Sequence, residues 1–327
     1  MTEFAFATCL PGLEPALKRD IARANTALRF AYSRPGLVTF KSQDPIADGA
    51  PSPTAFARLW GRSLGPAKTS EDAVRVFAGV GANRLHVFAR EPDSAVEIAP
   101  WQHAIASQLA LPVGAAVAGE LVANVIVAAD EPAWLGVHLA TAGLPPHPGA
   151  AIPIDVPSDA PSRAYAKIEE AIRWAELPVV AGHVALEIGC APGGAMLALA
   201  RRGLEVWGAD TADVAPQVLA DPHVHHLQQK VGALRWEELP PRVDWLLLDV
   251  NLAPQVALHE VARLMPRLRS TLRGAVFTLK LNEWSFVDLL PDLVARIGGM
   301  GFASVRLRHL PSNRREITAV AIVSSTT

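Results

Sequence analysis

The chain has 327 residues, and its 30 Lys and Arg against 32 Asp and Glu give a formal net charge of -2 at pH 7. Half of the residues are hydrophobic, yet no segment holds the long uninterrupted apolar run that a membrane-spanning helix requires. Cys9 and Cys190 are too few for a disulfide framework or a cysteine zinc site. The first residues lack the features of a secretory signal. We therefore expect a cytoplasmic protein of two or three domains, with no global sign of nucleic-acid binding.

The N-terminal half is predicted to hold two small α+β modules. Residues 1–45 form the first, 46–54 are a linker rich in Pro, Gly, Ser and Asp, and 55–150 form the second. The predicted elements are strand Phe4–Thr8, helix Leu13–Ala24, strands Leu28–Tyr32 and Leu37–Phe40, helix Ala55–Leu64, strand RLHVFAR, helix Pro100–Leu109, strand Leu121–Ala128 and strand AWLGVHLA. Mixed elements without a glycine-rich turn favour a binding module over a catalytic one.

A proline-rich connector over residues 151–162 leads into a different pattern over residues 163–327, where strands alternate with helices. The predicted elements are helix Ala164–Ala175, strand Val184–Ile188, helix Gly194–Arg202, strands Glu205–Ala209, His225–Gln228 and Trp245–Leu248, helix Pro254–Leu272, strand Ala275–Leu279, helix Trp284–Ile297, and strands Ser304–Leu307 and Ile317–Val323. Such alternation predicts an α/β fold with a doubly wound, Rossmann-like sheet that binds ligand at the strands' carboxyl ends. The last two strands are joined only by HLPSNRRE, so we expect them to be antiparallel.

The segment ALEIGCAPGGAM predicts a ligand-binding turn between a strand and a helix. Gly189, Gly193 and Gly194 would let the backbone bend sharply and approach a ligand. Pro192 removes an amide donor, which suits a nucleoside and amino-acid ligand better than a pyrophosphate. Asp210 ends the next strand, where a carboxylate can accept both hydroxyls of a ribose. The alternative is an ordinary strand–helix turn followed by a capping Asp.

Four charged residues lie in otherwise apolar or helix-starting segments. They are Lys167 in PSRAYAKIEEA, Asp249 after DWLLL, Lys280 at the end of GAVFTLK, and Glu316 at the start of EITAVAIV. Asp249 and Lys280 each end an apolar strand, so we expect both in the crevice beside the glycine turn. Buried charges need partners; one salt bridge would explain two charges, but not four from four segments. Clustered ammonium groups and partial desolvation would favour a neutral lysine that acts as a base.

The motifs APSRAYAKIEEA, EIGCAPGG, LLLD, FTLKL and RREIT resemble those of the FtsJ-like RNA 2'-O-methyltransferases. Within that family the chain looks most like the RlmM type, which methylates the 2'-hydroxyl of a cytidine in 23S ribosomal RNA. The resemblance covers residues 161–327 strongly. It extends over RLHVFAR and GELVANVIVAADEPAWLGVHLA, which are similar to that family's RNA-binding THUMP region. It implies a THUMP-like domain over residues 55–150 and an S-adenosylmethionine (SAM)-dependent methyltransferase domain over residues 163–327.

The resemblance also implies a role for each matching residue. Lys167, Asp249, Lys280 and Glu316 would be the catalytic tetrad, with Lys280 the proton acceptor. The residues expected to bind SAM are Gly189, Ala191, Pro192, Gly193, Gly194, Asp210, Lys230 and Asp249. The expected partner is RNA, namely 23S ribosomal RNA, with no membrane, DNA or metal and with a monomer assumed.

Three positions depart from the family pattern. Cys190 and Ala191 stand in reversed order before Pro-Gly-Gly, Ala164 replaces the usual Ser, and Lys230 lies where the family has an acidic residue that faces the adenine. The departures at Ala164 and Lys230 motivate an alternative function, a non-catalytic RNA-binding ribosome-assembly factor with a degenerate methyltransferase fold. A methyltransferase acting on a small-molecule or protein hydroxyl is a third hypothesis.

Other residues leave alternatives open. Two arginine clusters are either solvated faces or phosphate-facing patches; they are Arg263, Arg267, Arg269 and Arg273, and Arg306, Arg308, Arg314 and Arg315. The histidines of DPHVHH have no carboxylate or cysteine set at ligand spacing, so we predict no metal site there. Trp284 either packs its helix or stacks on a base.

Overall fold

The computed structural model describes residues 3–92 and 94–324. The chain divides between Ile152 and Pro153 into two compact units, the N-terminal unit and the C-terminal unit. Each unit is built on one seven-stranded sheet. Within the described residues, no helix combines the length and the apolar character needed to span a membrane.

The N-terminal unit has the sheet order β2-β3-β1-β4-β7-β6-β5. Its elements are β1 (Glu3–Thr8), α1 (Glu14–Ala24), β2 (Leu28–Arg34), β3 (Leu37–Ser42), β4 (Leu59–Ala67), α2 (Ser70–Phe77), β5 (Arg84–Ala89), α3 (Ala99–Leu109), β6 (Leu121–Val127) and β7 (Ala133–Leu139). Pairing is antiparallel except between β5 and β6. Phe77 of α2 and Ile105 of α3 share one buried core with Leu135 of β7.

The structure corrects two predictions for the N-terminal half. The predicted helix Ala55–Leu64 is wrong, because Leu59–Ala67 is a strand that pairs with β1 and β7. The apolar residues there recur at helix-like spacing, but pairing on both sides outweighs that local preference. In addition, β1 pairs with both β3 and β4, so residues 1–45 and 55–150 share one sheet. The segment 46–54 is therefore a connection within one unit rather than a linker between two modules.

The C-terminal unit has the sheet order β10-β9-β8-β11-β12-β14-β13. Its elements are α4 (Ala164–Ala175), β8 (Val184–Ile188), α5 (Gly194–Arg201), β9 (Glu205–Ala209), α6 (Pro216–Leu219), β10 (Val224–Leu227), β11 (Trp245–Leu248), α7 (Pro254–Leu268), β12 (Gly274–Lys280), α8 (Leu290–Gly298), β13 (Ser304–Arg308) and β14 (Glu316–Ile322). The five strands β8–β12 pair in parallel, and β14 is antiparallel to both β12 and β13. The sheet is thus mostly parallel, and its last strand is antiparallel to both neighbours.

The strand order determines where a ligand can enter this sheet. Strand β8 lies between β9 and β11, so the chain runs outwards in one direction from β8 to β10 and in the other from β11. Where the order reverses in this way, the carboxyl ends of the strands leave a crevice between diverging loops. The glycine turn that follows β8 and the Asp249 that follows β11 lie on the two sides of this crevice.

Two histidines lie buried beside each other in the N-terminal unit. His86 of β5 and His138 of β7 have ring centroids 6.1 Å apart, and Asn124 of β6 contacts the His138 ring at 2.8 Å. Burial lowers the pKa of both rings to about 4. The folded unit therefore favours neutral imidazoles.

We expect the free energy of unfolding of this unit to fall as the pH is lowered from about 6.5 towards 4. Unfolded histidines take up protons near pH 6.5, whereas the folded pKa is lower, so protonation favours the unfolded chain by roughly 1.4 kcal/mol per pKa unit. Urea unfolding between pH 7.5 and 4.5 measures this. The exposed His103→Gln variant should keep the wild-type pH dependence, and a flat profile would contradict the prediction.

Candidate active site

Backbone geometry brings the four predicted charged residues together. Lys280 ends β12 and pairs directly with Glu316, the first residue of the antiparallel β14, so both side chains lie on one face. Asp249 follows β11, the parallel neighbour of β12. Lys167 lies in the first turns of α4, which packs against β14. Asp249 and Lys280 therefore meet, as their strand ends predicted, and the structure places Lys167 and Glu316 beside them.

The four side chains form a closed ring of alternating charge. Lys280 Nζ donates to Asp249 Oδ1 and to Glu316 Oε2, both at 2.7 Å. Lys167 Nζ donates to Asp249 Oδ2 at 2.9 Å and lies 2.5 Å from Glu316 Oε1 as an ion pair. Each ammonium group thus contacts both carboxylates, and side-chain exposure ranges only from 7% for Glu316 to 18% for Asp249. Buried charges are tolerated in such an arrangement because each is compensated by two neighbours.

The charge of Lys280 differs from the sequence-based expectation of a neutral base. Burial alone would lower the pKa of Lys280, but the charges and hydrogen bonds of Asp249 and Glu316 hold that pKa above its ordinary value. The expectation considered the two lysines and desolvation, whereas each carboxylate contacts both lysines. Lys280 is therefore an ammonium group at neutral pH.

Glu187 is a further carboxyl group at this site, and it was not among the residues predicted from the sequence motifs. It lies in β8, is 1% exposed, and lines a small cavity together with Lys167 and Asp249. Burial, followed by the negative charges of Asp249 and Asp210, raises the pKa of Glu187 well above its usual range. Its surroundings thus favour the neutral form of Glu187 next to the ring. The sequence does contain a sign of this residue, because Glu187 is the one charged side chain in the apolar run ALEI.

The glycines of the turn after β8 serve different purposes. Gly189 has φ +84°, and a side chain there would lie 2.7 Å from Val250 Cγ1, so glycine allows the turn to approach the segment after β11. Gly193 has φ +104° and packs against Val214 and Val218. A Cβ at Gly194 would lie 2.9 Å from the Ser162 carbonyl oxygen and closer still to its Oγ. Gly193 and Gly194 therefore have packing roles, next to the cavity rather than in its wall.

A cavity of about 890 Å³ opens beside the ring, at the end of β8. The predicted site residues that line it are Gly189, Ala191, Asp210, Lys230 and Asp249. Pro192 instead accepts a backbone hydrogen bond from Ala215 at 3.0 Å. The volume lies within the range of small-molecule sites.

The cavity wall combines a fixed carboxylate with apolar surface. Asp210 accepts hydrogen bonds from the Ala191 and Ala212 amides at 3.1 and 3.0 Å, which holds its carboxylate at the turn with further lone pairs available for a ligand. Leu252 and Val256 line the cavity as exposed apolar side chains. A ligand with hydroxyl groups and a planar apolar part fits this wall.

Two arginines of the first cluster, Arg263 and Arg267 of α7, bind backbone carbonyl groups of the protein itself. Arg263 donates to the Val231 and Leu234 carbonyls at 2.6 and 3.0 Å. Arg267 donates to two further carbonyls of the same connection, those of Pro240 and Pro241. These arginines therefore fasten the segment between β10 and β11 to α7. One effect is to hold Val231 in the cavity wall.

The histidines of DPHVHH contact protein groups. His223 lies 2.9 Å from Glu205, His225 also contacts Glu205, and His226 contacts the Asp210 carbonyl at 3.2 Å. Within the described residues, no group of three or more His, Cys, Asp or Glu side chains is arranged to hold a metal ion.

The sheet order and the crevice define the C-terminal unit as a doubly wound, Rossmann-like α/β fold. The predicted resemblance is confirmed, because curated relatives with the name Ribosomal RNA large subunit methyltransferase M align with the chain. The protein of Alkalilimnicola ehrlichii is 37% identical over 177 residues, which cover 51% of this chain and 47% of the relative. That of Halorhodospira halophila is 36% identical over 191 residues, which cover 55% and 53%.

The chain spans about half the length of the curated relatives it matches. No family model matches it. Among solved structures, TrmN from Thermus thermophilus covers 98% of this chain at 17% identity and a TM-score of 0.37. The fibrillarin pre-rRNA processing protein of Methanococcus jannaschii covers 61% at 13% identity and a TM-score of 0.40. Similarity at these values carries no functional argument.

Gly194→Ala should destabilise the C-terminal unit by about 1–3 kcal/mol, since the added methyl group must displace Ser162 or the start of α4. Thermal unfolding measures the change. Gly298→Ala is the matched control, because nothing lies within 4 Å of a Cβ there. Equal melting temperatures for the Gly194 variant and the wild type would contradict the packing role.

Proposed function

We propose that this protein is a SAM-dependent RNA ribose 2'-O-methyltransferase that acts on 23S ribosomal RNA. The observation that carries the proposal is the closed ring of Lys167, Asp249, Lys280 and Glu316 beside a cavity of cofactor size. The names of the relatives support a ribosomal RNA substrate. The 2'-hydroxyl as acceptor rests on the resemblance of the four residues to the tetrad of the FtsJ-like family.

The cavity suits SAM in its size and in the chemistry of its wall. Asp210 would accept hydrogen bonds from the ribose hydroxyls, and the exposed apolar side chains Leu252 and Val256 would cover a base. Gly189 and Ala191 would lie along the methionine part, next to Asp249. SAM would supply a methyl group activated on a sulfonium centre.

The ring residues would position and deprotonate the acceptor hydroxyl. Lys280 would accept the hydroxyl proton, while Asp249 and Lys167 hold the oxygen and Glu316 orients both lysines. Asp249 and Glu316 keep Lys280 charged at neutral pH, so Lys280 must lose its own proton before it can accept another. Most of the rate enhancement would come from positioning and from charges already in place.

We also propose that the N-terminal unit contributes to RNA binding, as a THUMP-like domain would. The family resemblance over residues 55–150 supports this role, with recognition by shape and backbone rather than by bases.

Lys280→Ala should lower the rate of methyl transfer to ribosomal RNA by about 10²–10⁴-fold, the usual contribution of a positioned base. Binding of S-adenosylhomocysteine, measured by calorimetry, should stay close to wild type. Lys41→Ala, at an exposed position, serves as the control. Ribose-methylation mapping of 23S RNA identifies the product, and retained turnover in the Lys280 variant would refute the base assignment.

The rate of methyl transfer should rise with pH. The pKa of Lys280 lies above its ordinary value, so the neutral amine is scarce at pH 7 and grows about tenfold per pH unit below that pKa. Measurements of kcat/KM between pH 6.5 and 9.5 check this, with S-adenosylhomocysteine affinity over the same range as the control. A profile that is flat above pH 7 would contradict deprotonation of Lys280 as the limiting requirement.

The alternative function, an RNA-binding assembly factor without turnover, is favoured by one observation. Lys230 lies exposed in the cavity wall, at the position where the related enzymes have an acidic residue. A folded protein with no detectable affinity for S-adenosylhomocysteine would favour this alternative.

A further inference from the structure

Three exposed arginines flank the ring along the chain. Arg163 precedes Lys167 by one helical turn at the start of α4, and Arg314 and Arg315 immediately precede Glu316. Within residues 3–92 and 94–324, none of the three forms an ion pair with a carboxylate. Because the two lysines and two carboxylates of the ring balance each other, the three arginines add positive charge beside it.

The turn that carries Arg314 and Arg315 is held firmly against α4. Ser312 donates to the Glu170 carboxylate through its amide at 2.9 Å and its hydroxyl at 2.7 Å. Arg163 Nη1 donates to the Ser312 carbonyl at 3.2 Å. The buried Asn313 accepts a hydrogen bond from the Thr318 hydroxyl at 3.0 Å, which ties the turn to β14 as well. The arginines thus project from a backbone that is already ordered.

Arg315 is further positioned by an aromatic side chain. Its guanidinium lies over the ring of Trp284, 5.8 Å from the ring centroid, and its carbonyl accepts a hydrogen bond from Leu281 at 2.7 Å. A guanidinium stacked on an indole can still donate its N–H groups to a phosphate. The stacked pair therefore sets Arg315 beside the end of β12, next to Lys280.

The other arginines of the same cluster are engaged within the protein. Arg306 donates to the Ala175 carbonyl at 2.8 Å, and the guanidinium groups of both Arg306 and Arg308 lie over Trp174. They fasten β13 to the end of α4. Arg306 and Arg308 therefore have structural roles, whereas Arg314 and Arg315 lie next to the ring of four charges.

We propose that Arg163, Arg314 and Arg315 bind the phosphates on either side of one ribose, the ribose whose 2'-hydroxyl lies at the ring of four charged side chains. The proposal rests on the proposed function, because it takes RNA as the substrate. Guanidinium groups bind phosphate oxygens with two N–H donors, and such contacts fix the register of a strand without reading its sequence. A register fixed on both sides of the ring would bring one 2'-hydroxyl to Lys280.

The test compares arginine variants of the full chain in their binding to a 23S ribosomal RNA transcript made in vitro. Filter binding of wild type, Arg163→Gln, Arg314→Gln, Arg315→Gln and the triple variant is measured from 50 to 200 mM salt. Each lost phosphate contact should reduce the slope of log affinity against log salt by roughly 0.7–0.9, so the triple variant should lose roughly 2.1–2.7. Thermal unfolding and S-adenosylhomocysteine affinity should match the wild type.

Arg296→Gln is the matched control. Arg296 is also exposed, but it lies in the last turn of α8, which leads to the start of β13, level with Gly274 at the other end of β12 from Lys280. The inference is overturned if the triple variant keeps the wild-type slope. It is also overturned if Arg296→Gln reduces the slope as much as each of the three single variants does.

Methylation assays separate this inference from the proposed function. A wild-type protein that methylates the RNA while the arginine variants keep its salt slope would refute the phosphate contacts alone. A wild-type protein whose RNA affinity depends on the three arginines, but which transfers no methyl group, would refute the proposed enzyme and retain the phosphate contacts.

Discussion

The mutual compensation of four buried charges is the constraint on which the rest of the C-terminal unit depends. Lys167, Asp249, Lys280 and Glu316 come from four separate segments, and removal of any one leaves a buried charge without its partner. A slip of one residue between β12 and β14 would turn either Lys280 or Glu316 to the other face of the sheet. The ring therefore specifies the strand register and the position of α4 together.

The same contacts create a tension between stability and the proposed chemistry. Asp249 and Glu316 compensate Lys280 and, in doing so, hold its pKa above the ordinary value. Lys280 is thus kept in the state that stabilises the fold, whereas a proton acceptor must be neutral. The pKa of the neighbouring Glu187 is also raised, by burial and by the charges of Asp249 and Asp210, which favours its neutral form. Both charge states are properties of the assembled site.

Arginines that look alike in sequence acquire different roles through their neighbours. Arg263 and Arg267 fasten the connection between β10 and β11 by binding carbonyl groups. Arg306 fastens an edge strand to α4. Arg314 and Arg315 belong to the same sequence cluster as Arg306, yet they lie exposed next to the ring. Spacing along the chain could not separate these roles, since each depends on which distant segment packs opposite.

The sequence by itself determined most of the C-terminal unit. Helix Ala164–Ala175 and strands Val184–Ile188, Glu205–Ala209 and Trp245–Leu248 have the predicted bounds, because their apolar period is a local property. The meeting of Asp249 and Lys280 also followed from local pattern, since parallel strands end at one edge.

Only the tertiary structure decided the features that depend on distant partners. The strand Leu59–Ala67 exists because β1 and β7 pair with it on both sides. Gly194 is needed because Ser162 packs against it, although Ser162 lies before α4 and Gly194 begins α5. The charge of Lys280 is set by carboxylates from two other segments. The apolar periodicity of the sequence predicts its helices and strands. The charge of Lys280 and the packing of Gly194 depend on residues that are distant in the chain and that only the folded structure brings together.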